Sequence, residues 1–332
     1  MLQEHIKYFD SLETSKRKNI VIIGGAKGVV NVVSGLRERV RAHLTTIIST
    51  ADNGGSSGVL SESYGLGPVG DLRRVCGALA NDSKLKELAE FRHERGCLAP
   101  HTFGNLMLAT LFEECNSIEE AIDGYCKLIG AQGTVIPVTL GKQTLYAKLE
   151  NGEIIEGETH IDIPKHDGTL KITNAWLMPR AFANPRAEAA ILAADVVIIG
   201  PGDHFTSIIP NLLVDGIPKA IRVTKAMKVY IPNLMTKPGE TYGYQMHNLL
   251  TDINNFLGND VIDLIIANNE KFPEEVLASY ASEGKVPIFP TKEGLRGVDI
   301  PVYLSALLNH GEFWHHDPKK IAEAIATNCG FV

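Results

Sequence analysis

The sequence feature that most constrains the fold is an apolar strand that runs directly into glycines. Residues 19–23 form a β-branched run that ends at Gly24 and Gly25, and residues 29–40 follow with apolar side chains at helical spacing. Residues 44–50 form a second run of the same kind. A continuous apolar strand is typical of a parallel sheet that is buried on both faces. Strand, turn, helix and strand in this order predict a right-handed βαβ unit.

The rest of the chain extends this unit. Residues 71–128 have a helical pattern, and three short strands are predicted at 134–140, 143–150 and 153–158. Asn151-Gly152 lies between the last two strands and predicts a hairpin. Further strands of the buried type are predicted at 195–199, 228–231 and 261–267, each followed by a loop and a helical stretch.

This pattern predicts an α/β fold, a Rossmann-like doubly wound and mostly parallel sheet with a β-hairpin insertion. We expect an N-terminal extension at 1–18 and a single domain at 19–332, with a β-rich insertion at about 134–178. A chain of this length is long enough to bury a substantial core.

Composition excludes several classes of function. The 332 residues include 32 Lys and Arg against 39 Asp and Glu, and the net charge of −7 lacks the basic excess that nucleic-acid binding requires. No apolar run reaches the roughly 20 residues of a membrane-spanning helix. The polar start does not resemble a secretory signal. Five widely spaced cysteines without a CxxC pair argue against a disulfide framework or a zinc site, so we expect a cytoplasmic protein.

The turn after the first strand is a candidate phosphate site. Such a turn exposes backbone N–H groups at the start of a helix, where the helix dipole favours an anion. Its candidate residues are Gly24, Gly25, Lys27 and Gly28. Because the pattern is neither GxGxxG nor a P-loop, a tight turn whose glycines permit close packing is an equal alternative.

The segment after the second strand, residues 50–58, is predicted to be an anion-binding loop because it carries three glycines and two serines. Its candidate residues are Gly54, Gly55, Ser56 and Ser57. Asp52 is a candidate for a sugar hydroxyl or for Mg²⁺. In a dinucleotide fold the acidic residue comes about 20 residues after the glycines. Asp52 comes later, which disfavours NAD, and we expect no redox cofactor.

Further polar residues follow the later strands or begin helices. Asp71 is either a helix N-cap or a residue of a Mg²⁺ or phosphate site, and Arg73 or Arg74 is a candidate fork for phosphate or carboxylate. His101 and Asn105 are four residues apart and would share a helix face, although a histidine at a helix start is usually structural. The other candidates are Gly200, Gly202, Thr206, Ser207, Asn233, Thr236 and Asn268. Ligands of open α/β sheets lie at the carboxyl ends of the strands, so this accumulation predicts a ligand site.

In this order the motifs resemble the CofD-like superfamily and, within it, the bacterial gluconeogenesis-factor (YvcK-like) branch. The matching segments are GGAKG at 24–28, TADNGGSSG at 50–58, GPVGDLR at 67–73, HTFGNL at 101–106, GPGDHFTSIIPNLL at 200–213, NLMTKPGETYGY at 233–244, NN at 268–269 and HDP at 316–318. The resemblance extends over nearly the whole chain except residues 1–18. The chain departs from the usual family pattern at Ala26, Lys27, Asn53 and Asp203.

The resemblance implies a Rossmann-like fold with a nucleotide-type ligand. The enzyme branch, 2-phospho-L-lactate transferase, moves a phospholactyl group from a guanylated donor onto a deazaflavin precursor. Its Mg²⁺ is held by aspartates, and Asp52 and Asp71 fall at the matching positions. The gluconeogenesis-factor branch resembles a UDP-sugar-binding regulator needed for cell shape and wall synthesis on gluconeogenic carbon sources. There Tyr280 and His315 fall near uridine-sugar contacts, although a core aromatic is an equal interpretation of Tyr280.

Two functions of different class follow from the resemblance. The first is a regulatory protein that binds a UDP-sugar or another nucleotide diphosphate, with a homo-oligomer and a cell-wall or signalling protein as candidate partners. The second is a Mg²⁺-dependent transferase. No Cys-His or Ser-His motif indicates a nucleophile, but phosphoryl transfer can proceed by positioning and metal ions alone. The closer match to the gluconeogenesis-factor motifs favours the regulator.

Overall fold

The computed structural model describes residues 17–52, 54–65, 69–311 and 314–331. In chain order its strands are β1 (Lys18–Gly24), β2 (Ala42–Ile48), β3 (Thr134–Pro137), β4 (Thr144–Leu149), β5 (Ile154–Glu156), β6 (Ile172–Met178), β7 (Val196–Ile199), β8 (Met227–Tyr230), β9 (Leu264–Asn268) and β10 (Val302–Ser305). Of the predicted N-terminal extension, residues 1–16 lie outside the described residues, and Lys18 already begins β1.

The α-helices are α1 (Ala26–Arg39), α2 (Gly55–Tyr64), α3 (Gly70–Leu79), α4 (Ser83–Glu90), α5 (Phe103–Cys115), α6 (Ile118–Leu128), α7 (Glu158–Asp162), α8 (Pro185–Leu192), α9 (Ile209–Leu212), α10 (Ile217–Val223), α11 (Met246–Leu257), α12 (Glu274–Ser282) and α13 (Pro318–Cys329). A 3₁₀ turn at Gly96–Leu98 and a π-helical turn at His204–Ile208 complete the helical segments. Within the described ranges, no helix is both long and apolar enough to cross a membrane.

The described strands form a wholly parallel seven-stranded sheet in the order β10-β9-β8-β7-β1-β2-β3. Both faces of this sheet are covered. Along β1, Ile20 and Ile22 pack into a core with α1 and α13, whereas Val21 and Ile23 pack into a second core with the helices α8 to α11. Burial on both faces is the reason for the continuous apolar runs in the sequence. The predicted doubly wound α/β fold is confirmed.

The β-rich insertion forms a separate three-stranded antiparallel sheet in the order β5-β4-β6. The predicted hairpin between β4 and β5 is present, and Gly152 adopts φ +91° in its turn. β3, however, pairs in parallel with β2 and belongs to the main sheet. The range 134–178 predicted for the insertion therefore includes one strand of the main sheet. The sequence did not reveal this, because the pattern of a strand does not indicate which other strand it pairs with.

The segment at 50–58 also differs from the expected loop. Helix α2 begins at Gly55, and the Gly58 N–H donates a 3.0 Å bond to the Gly54 carbonyl. Glycine is a poor helix former, so local propensity favours a loop here. Burial of Leu60, which is 4% exposed, ties this helix to the core and outweighs that preference.

Candidate functional site

The candidate site lies where the order of the strands reverses. From β1 the chain continues through β2 and β3 on one side, and returns through β7 to β10 on the other. Ile23 at the end of β1 pairs with Ile199 at the end of β7, so the turns that follow the two strands are neighbours. Such a switch point is the usual place for a ligand in an open parallel sheet.

Glycines let these two turns interlock. A Cβ atom on Gly25 would lie 2.1 Å from Ser207 Oγ, and one on Gly28 would lie 2.1 Å from the Pro201 carbonyl oxygen. Neither residue tolerates a side chain without a shift of the opposite turn. The close packing that the sequence allows as a role for these glycines is therefore observed. It holds the two turns against each other beside a cleft.

The cleft at this switch point has a volume of about 690 Å³. Most of the predicted site residues line it, namely Gly24, Gly25, Lys27, Gly28, Asp52, Gly54, Ser56, Asp71, Arg73, Asn105, Gly202, Thr206, Ser207, Asn233, Thr236, Tyr280 and His315. Gly200, His101 and Asn268 do not line it. Gly55 lies in α2, and the side chain of Ser57 is outside the described part of the chain, as are Gly67 and Pro68 of the GPVGDLR motif.

Arg73 is the buried cation of the cleft. Its side chain is fixed by a 2.9 Å hydrogen bond from Nε to Asn105 Oδ1, and the residue is 5% exposed. A Cβ on Gly104 would lie 2.7 Å from Arg73 Cδ, so this glycine makes room for the arginine. Among the described residues, Arg73 Nη1 has no hydrogen-bond partner. Burial lowers the pKa of Arg73 below its ordinary value.

Ser56 is hydrogen-bonded to both His101 and Asn105, which the sequence predicts to share one helix face. Its Oγ lies 2.9 Å from His101 Nδ1 and accepts a 3.1 Å bond from Asn105 Nδ2. His101 itself precedes α5, whose N-cap is Thr102, so the prediction of a shared helix face is wrong. His101 therefore lies behind the cleft and positions Ser56, which lines it.

Asp71 lies in the first turn of α3 and is not its N-cap, because the cap position belongs to Val69. Its carboxylate pairs with Arg74 at 3.1 Å, while Asp52 Oδ1 accepts a 2.8 Å bond from the Gly54 N–H. Carboxylate oxygens suit Mg²⁺, which needs few protein ligands. The chemistry of Asp52 and Asp71 thus fits such an ion.

Glu158 adds a third carboxyl group to the cleft, within reach of the charges of Asp52 and Asp71. Burial, together with the charges of Asp52, Asp162 and Asp71, raises the pKa of Glu158 to about 9. Glu158 and Asp162 lie on α7, which the insertion carries to the cleft. Neither residue is indicated by the sequence pattern, because the strand that precedes them, β5, belongs to the antiparallel sheet of the insertion and not to the parallel sheet.

Lys237 lies within a second group of carboxylates, formed by Asp162, Asp203 and Glu240. In the part of the chain that the structure describes, this is the one group of three or more potential metal-ligating side chains, and its ligand atoms lie within 4.8 Å of one another. Lys237 Nζ lies 2.9 Å from Asp203 Oδ2 and 3.0 Å from Glu240 Oε1, and it also pairs with Asp162. Burial lowers the pKa of Lys237, but the three carboxylates outweigh burial and raise it. The lysine thus supplies the positive charge that these carboxylates need.

The Glu240 carboxylate binds the start of the π-helical turn after β7, where the sequence predicts a phosphate on Thr206 and Ser207. Its Oε2 accepts the backbone N–H groups of Phe205 (2.7 Å) and Thr206 (3.2 Å), and its Oε1 accepts the Thr206 hydroxyl at 3.1 Å. Thr206 lines the cleft, but its hydroxyl already donates to a protein carboxylate. Lys237 and Glu240 are both in the motif at 233–244, yet nothing in that motif indicates which turn they contact.

The far wall of the cleft is formed by the C-terminal third of the chain. Tyr280 on α12 is half-buried and packs edge-on against Phe272, with ring centroids 6.5 Å apart. His315 lies 3.4 Å from Asn31 Nδ2 through its Nδ1. Asn233 Oδ1 is buried without a hydrogen-bond partner among the described residues. Tyr280 is thus a cleft residue and not a core aromatic.

The side chain of Asn268 has a structural role. Its Oδ1 accepts the N–H groups of Glu270 at 3.2 Å and Leu307 at 3.0 Å, and its Nδ2 donates to the Glu270 carbonyl. The side chain joins the end of β9 to the segment after β10 and does not line the cleft.

Comparison with known proteins identifies the family. Residues 20–308 match the family model described as 2-phospho-L-lactate transferase CofD. The chain is 35% identical to the gluconeogenesis factor of Halalkalibacterium halodurans, over 93% of this chain and 96% of that protein. It is 36% identical to the gluconeogenesis factor of Listeria innocua, over 93% and 95%. A crystal structure of a UPF0052 family member from Bacillus halodurans superposes with a TM-score of 0.88 at 33% identity, covering 93% of this chain and 99% of that one. The chain therefore belongs to the CofD family and, within it, to the gluconeogenesis-factor (UPF0052) branch.

Proposed function

We propose that this chain binds a nucleotide diphosphate ligand, a UDP-sugar, in the cleft at the switch point, and that it acts as a regulatory protein in the cytoplasm. The observation that carries the proposal is Arg73. A buried guanidinium is costly unless an anion pairs with it, and its described hydrogen-bond partner is the neutral amide of Asn105. A diphosphate entering the cleft would supply that anion to the part of the Arg73 side chain that lines it.

The surroundings of Arg73 support a phosphate ligand. Arg74, Arg92 and Lys27 line the same cleft, as does Ser56 in the first turn of α2. The first turns of α1 and α2 bring backbone N–H groups and positive dipole ends to the cleft. A phosphate there would receive both charged and neutral hydrogen-bond donors.

Membership of the branch supports the proposed regulatory role. Relatives at 35% and 36% identity bear the name gluconeogenesis factor. The corresponding role for this chain is control of cell shape and cell-wall precursor supply during growth on gluconeogenic carbon sources. Its output would pass to a cell-wall or signalling protein, with self-association as a further means of control.

The second candidate function is a Mg²⁺-dependent transferase of the 2-phospho-L-lactate transferase type. The carboxylates of Asp52 and Asp71 favour it, because they lie in the same cleft as Arg73 and have the donor chemistry of a Mg²⁺ site. When bound, such an ion would neutralise phosphate charge during transfer. Arg73 would hold the phosphate, and the glycine turns would orient it.

One experiment separates the two functions. The protein is incubated with a stoichiometric UDP-sugar and Mg²⁺ for many hours, and the nucleotide is then analysed by mass spectrometry, while calorimetry measures the affinity. Binding with an intact ligand is the expected result. Consumption of the UDP-sugar above the rate of an Asp71→Ala variant would refute the regulator and support the transferase. Absence of binding of UDP and of every UDP-sugar would refute the nucleotide ligand itself.

A further inference from the structure

His204 is a buried histidine of the motif at 200–213 that does not line the cleft. Its Nε2 lies 3.1 Å from Oδ2 of Asp252 on α11. A carboxylate accepts hydrogen bonds, so Nε2 carries the imidazole proton. Nδ1 is then an acceptor, and it has no hydrogen-bond partner among the described residues. Asp252 thus fixes both the tautomer and the orientation of the His204 ring.

Aromatic rings pack around this pair. Phe205 and Tyr244 lie edge-on to the His204 ring, with ring centroids 5.0 and 6.3 Å away. Burial first and then the charge of Asp252 raise the pKa of both Tyr230 and Tyr244 above the ordinary value. The carboxylate therefore lies in mostly apolar surroundings, where a hydrogen bond to a charged group is stronger than in water.

His204 is the first residue of the π-helical turn. In this turn the Asp203 carbonyl accepts the N–H groups of Ser207 at 2.9 Å and of Ile208 at 3.0 Å. π-helical turns are rare and frequently lie at functional sites. The Glu240 carboxylate binds two further N–H groups of the turn. The His204 ring is a second point at which a carboxylate from another segment holds it.

The same turn shapes the cleft beside Gly25. Gly202 and Ser207 line the cleft, and both lie against Gly25. A Cβ on Gly202 would lie 2.8 Å from the Gly25 backbone nitrogen, and a Cβ on Gly25 would meet the Ser207 side chain. A shift of the π-helical turn would therefore change the space at the start of α1, where the proposed function has backbone N–H groups receive a phosphate.

We propose that His204 and Asp252 are positioning residues of the ligand cleft. Asp252 orients the His204 ring, the ring fixes the π-helical turn, and the turn sets the space beside Gly25. Both side chains act through the turn, because neither lines the cleft. The inference rests on the proposed function, since the pair acts on the affinity for a nucleotide.

The test measures the affinity of the full chain for UDP by calorimetry, at a temperature at which all variants are folded. Asp252→Ala and His204→Phe both remove the hydrogen bond, and the phenyl ring of His204→Phe preserves the aromatic packing. We expect each to weaken UDP binding by about tenfold. Asp252→Asn retains an acceptor and His204→Gln retains a donor, so these variants should stay within about threefold of the parent protein.

Two further variants separate the pair from general effects on α11. The double variant Asp252→Ala/His204→Phe should bind UDP no more weakly than the weaker single variant, because residues that act through one hydrogen bond are not additive. Thr251→Ala changes the neighbouring, exposed position of α11 and should bind UDP like the parent protein.

A pair with a structural role alone would lower the melting temperature and leave the affinity of the folded protein unchanged. UDP affinities within about twofold of the parent for folded Asp252→Ala and His204→Phe would therefore overturn the inference and leave the proposed function standing. Losses that multiply in the double variant, or an equal loss in Thr251→Ala, would also overturn it. Should Asp252→Ala not fold, His204→Phe decides by the same limit. Absence of UDP binding to the parent protein would refute the proposed function and this inference together.

Discussion

Arg73 Nε donates a 2.9 Å hydrogen bond to Asn105 Oδ1, and this neutral amide orients a guanidinium that is 5% exposed. Nη1 of the same side chain has no partner among the described residues. A charge held in this way lowers the stability of the folded protein, and because Arg73 also lines the cleft, an anionic ligand there would compensate it. Substitution of Arg73 should therefore affect ligand affinity and protein stability in different directions.

Arg73→Met should weaken UDP binding by about 10- to 100-fold, because a charge-assisted hydrogen bond contributes about 1.5–3 kcal/mol. Its free energy of unfolding should stay the same or rise, since a poorly paired buried charge is lost. Arg73→Lys retains the positive charge but loses the planar guanidinium, so its affinity for UDP should lie between those of the parent protein and Arg73→Met. Calorimetry and urea unfolding measure both quantities. An affinity within twofold of the parent protein for Arg73→Met would exclude Arg73 as the phosphate ligand.

Gly28→Ala tests the interlocked turns. Its new Cβ would lie 2.1 Å from the Pro201 carbonyl oxygen, so we expect a loss of about 1–3 kcal/mol in the free energy of unfolding. Gly124→Ala in α6 is the matched control, because its nearest neighbour would be Leu111 Cδ2 at 3.6 Å. That change should be neutral or stabilise by up to about 1 kcal/mol. Equal urea midpoints for the two variants would contradict the interlock.

Lys237→Met should destabilise the protein by about 3 kcal/mol or more, because it leaves the buried Glu240 with Asp162 and Asp203 and no cation. Addition of millimolar Mg²⁺ or Ca²⁺ should restore part of the melting temperature in this variant but not shift that of the parent. Arg39→Met, which removes the exposed pair with Glu323, should cost about 1 kcal/mol or less. A Lys237→Met variant as stable as the Arg39 control would show that the lysine is not needed there.

Glu158→Gln should change the pH dependence of stability. The folded pKa of Glu158 is raised from an ordinary 4.5 to about 9. Between these values the unfolded chain releases the proton and the folded chain keeps it, so the contribution of this group to stability is lost as the pH rises. From pH 5 to pH 8 the variant should therefore become more stable relative to the parent protein, by up to about 1.4 kcal/mol for each pH unit. Melting curves at several pH values test this, with exposed Glu275→Gln as the control. A stability difference between Glu158→Gln and the parent protein that does not change with pH would contradict the raised pKa of Glu158.

Removal of Mg²⁺ tests the roles of Asp52 and Asp71. If the ion takes part, the affinity for UDP should fall in EDTA, and Asp52→Asn and Asp71→Asn should weaken binding in Mg²⁺ more than in EDTA. Calorimetry under both conditions measures the difference. Equal affinities of the parent protein in Mg²⁺ and EDTA would assign these two carboxylates to hydrogen bonding alone.

Local sequence patterns were sufficient to predict the strands of the parallel core and the turns at the edge of the sheet. The runs at 19–23 and 195–199 are apolar because both faces of β1 and β7 are buried, and their glycines mark where the chain turns. Most of the predicted turn residues line the cleft for that reason. Thr206 and Asn268 are different, because their polar groups are committed to Glu240 and to the segment after β10. A polar residue after a strand is a candidate ligand contact only when no other segment uses it.

The sequence by itself determined the fold class and the glycine turns that follow the parallel strands, because β-branched runs and glycines are local signals. The tertiary structure alone decided that β3 joins the main sheet, that α7 brings Glu158 and Asp162 to the cleft, and that Lys237 pairs with a carboxylate 75 residues away. These contacts join distant segments. Their energy comes from burial and charge in the assembled core, which no window of the sequence contains.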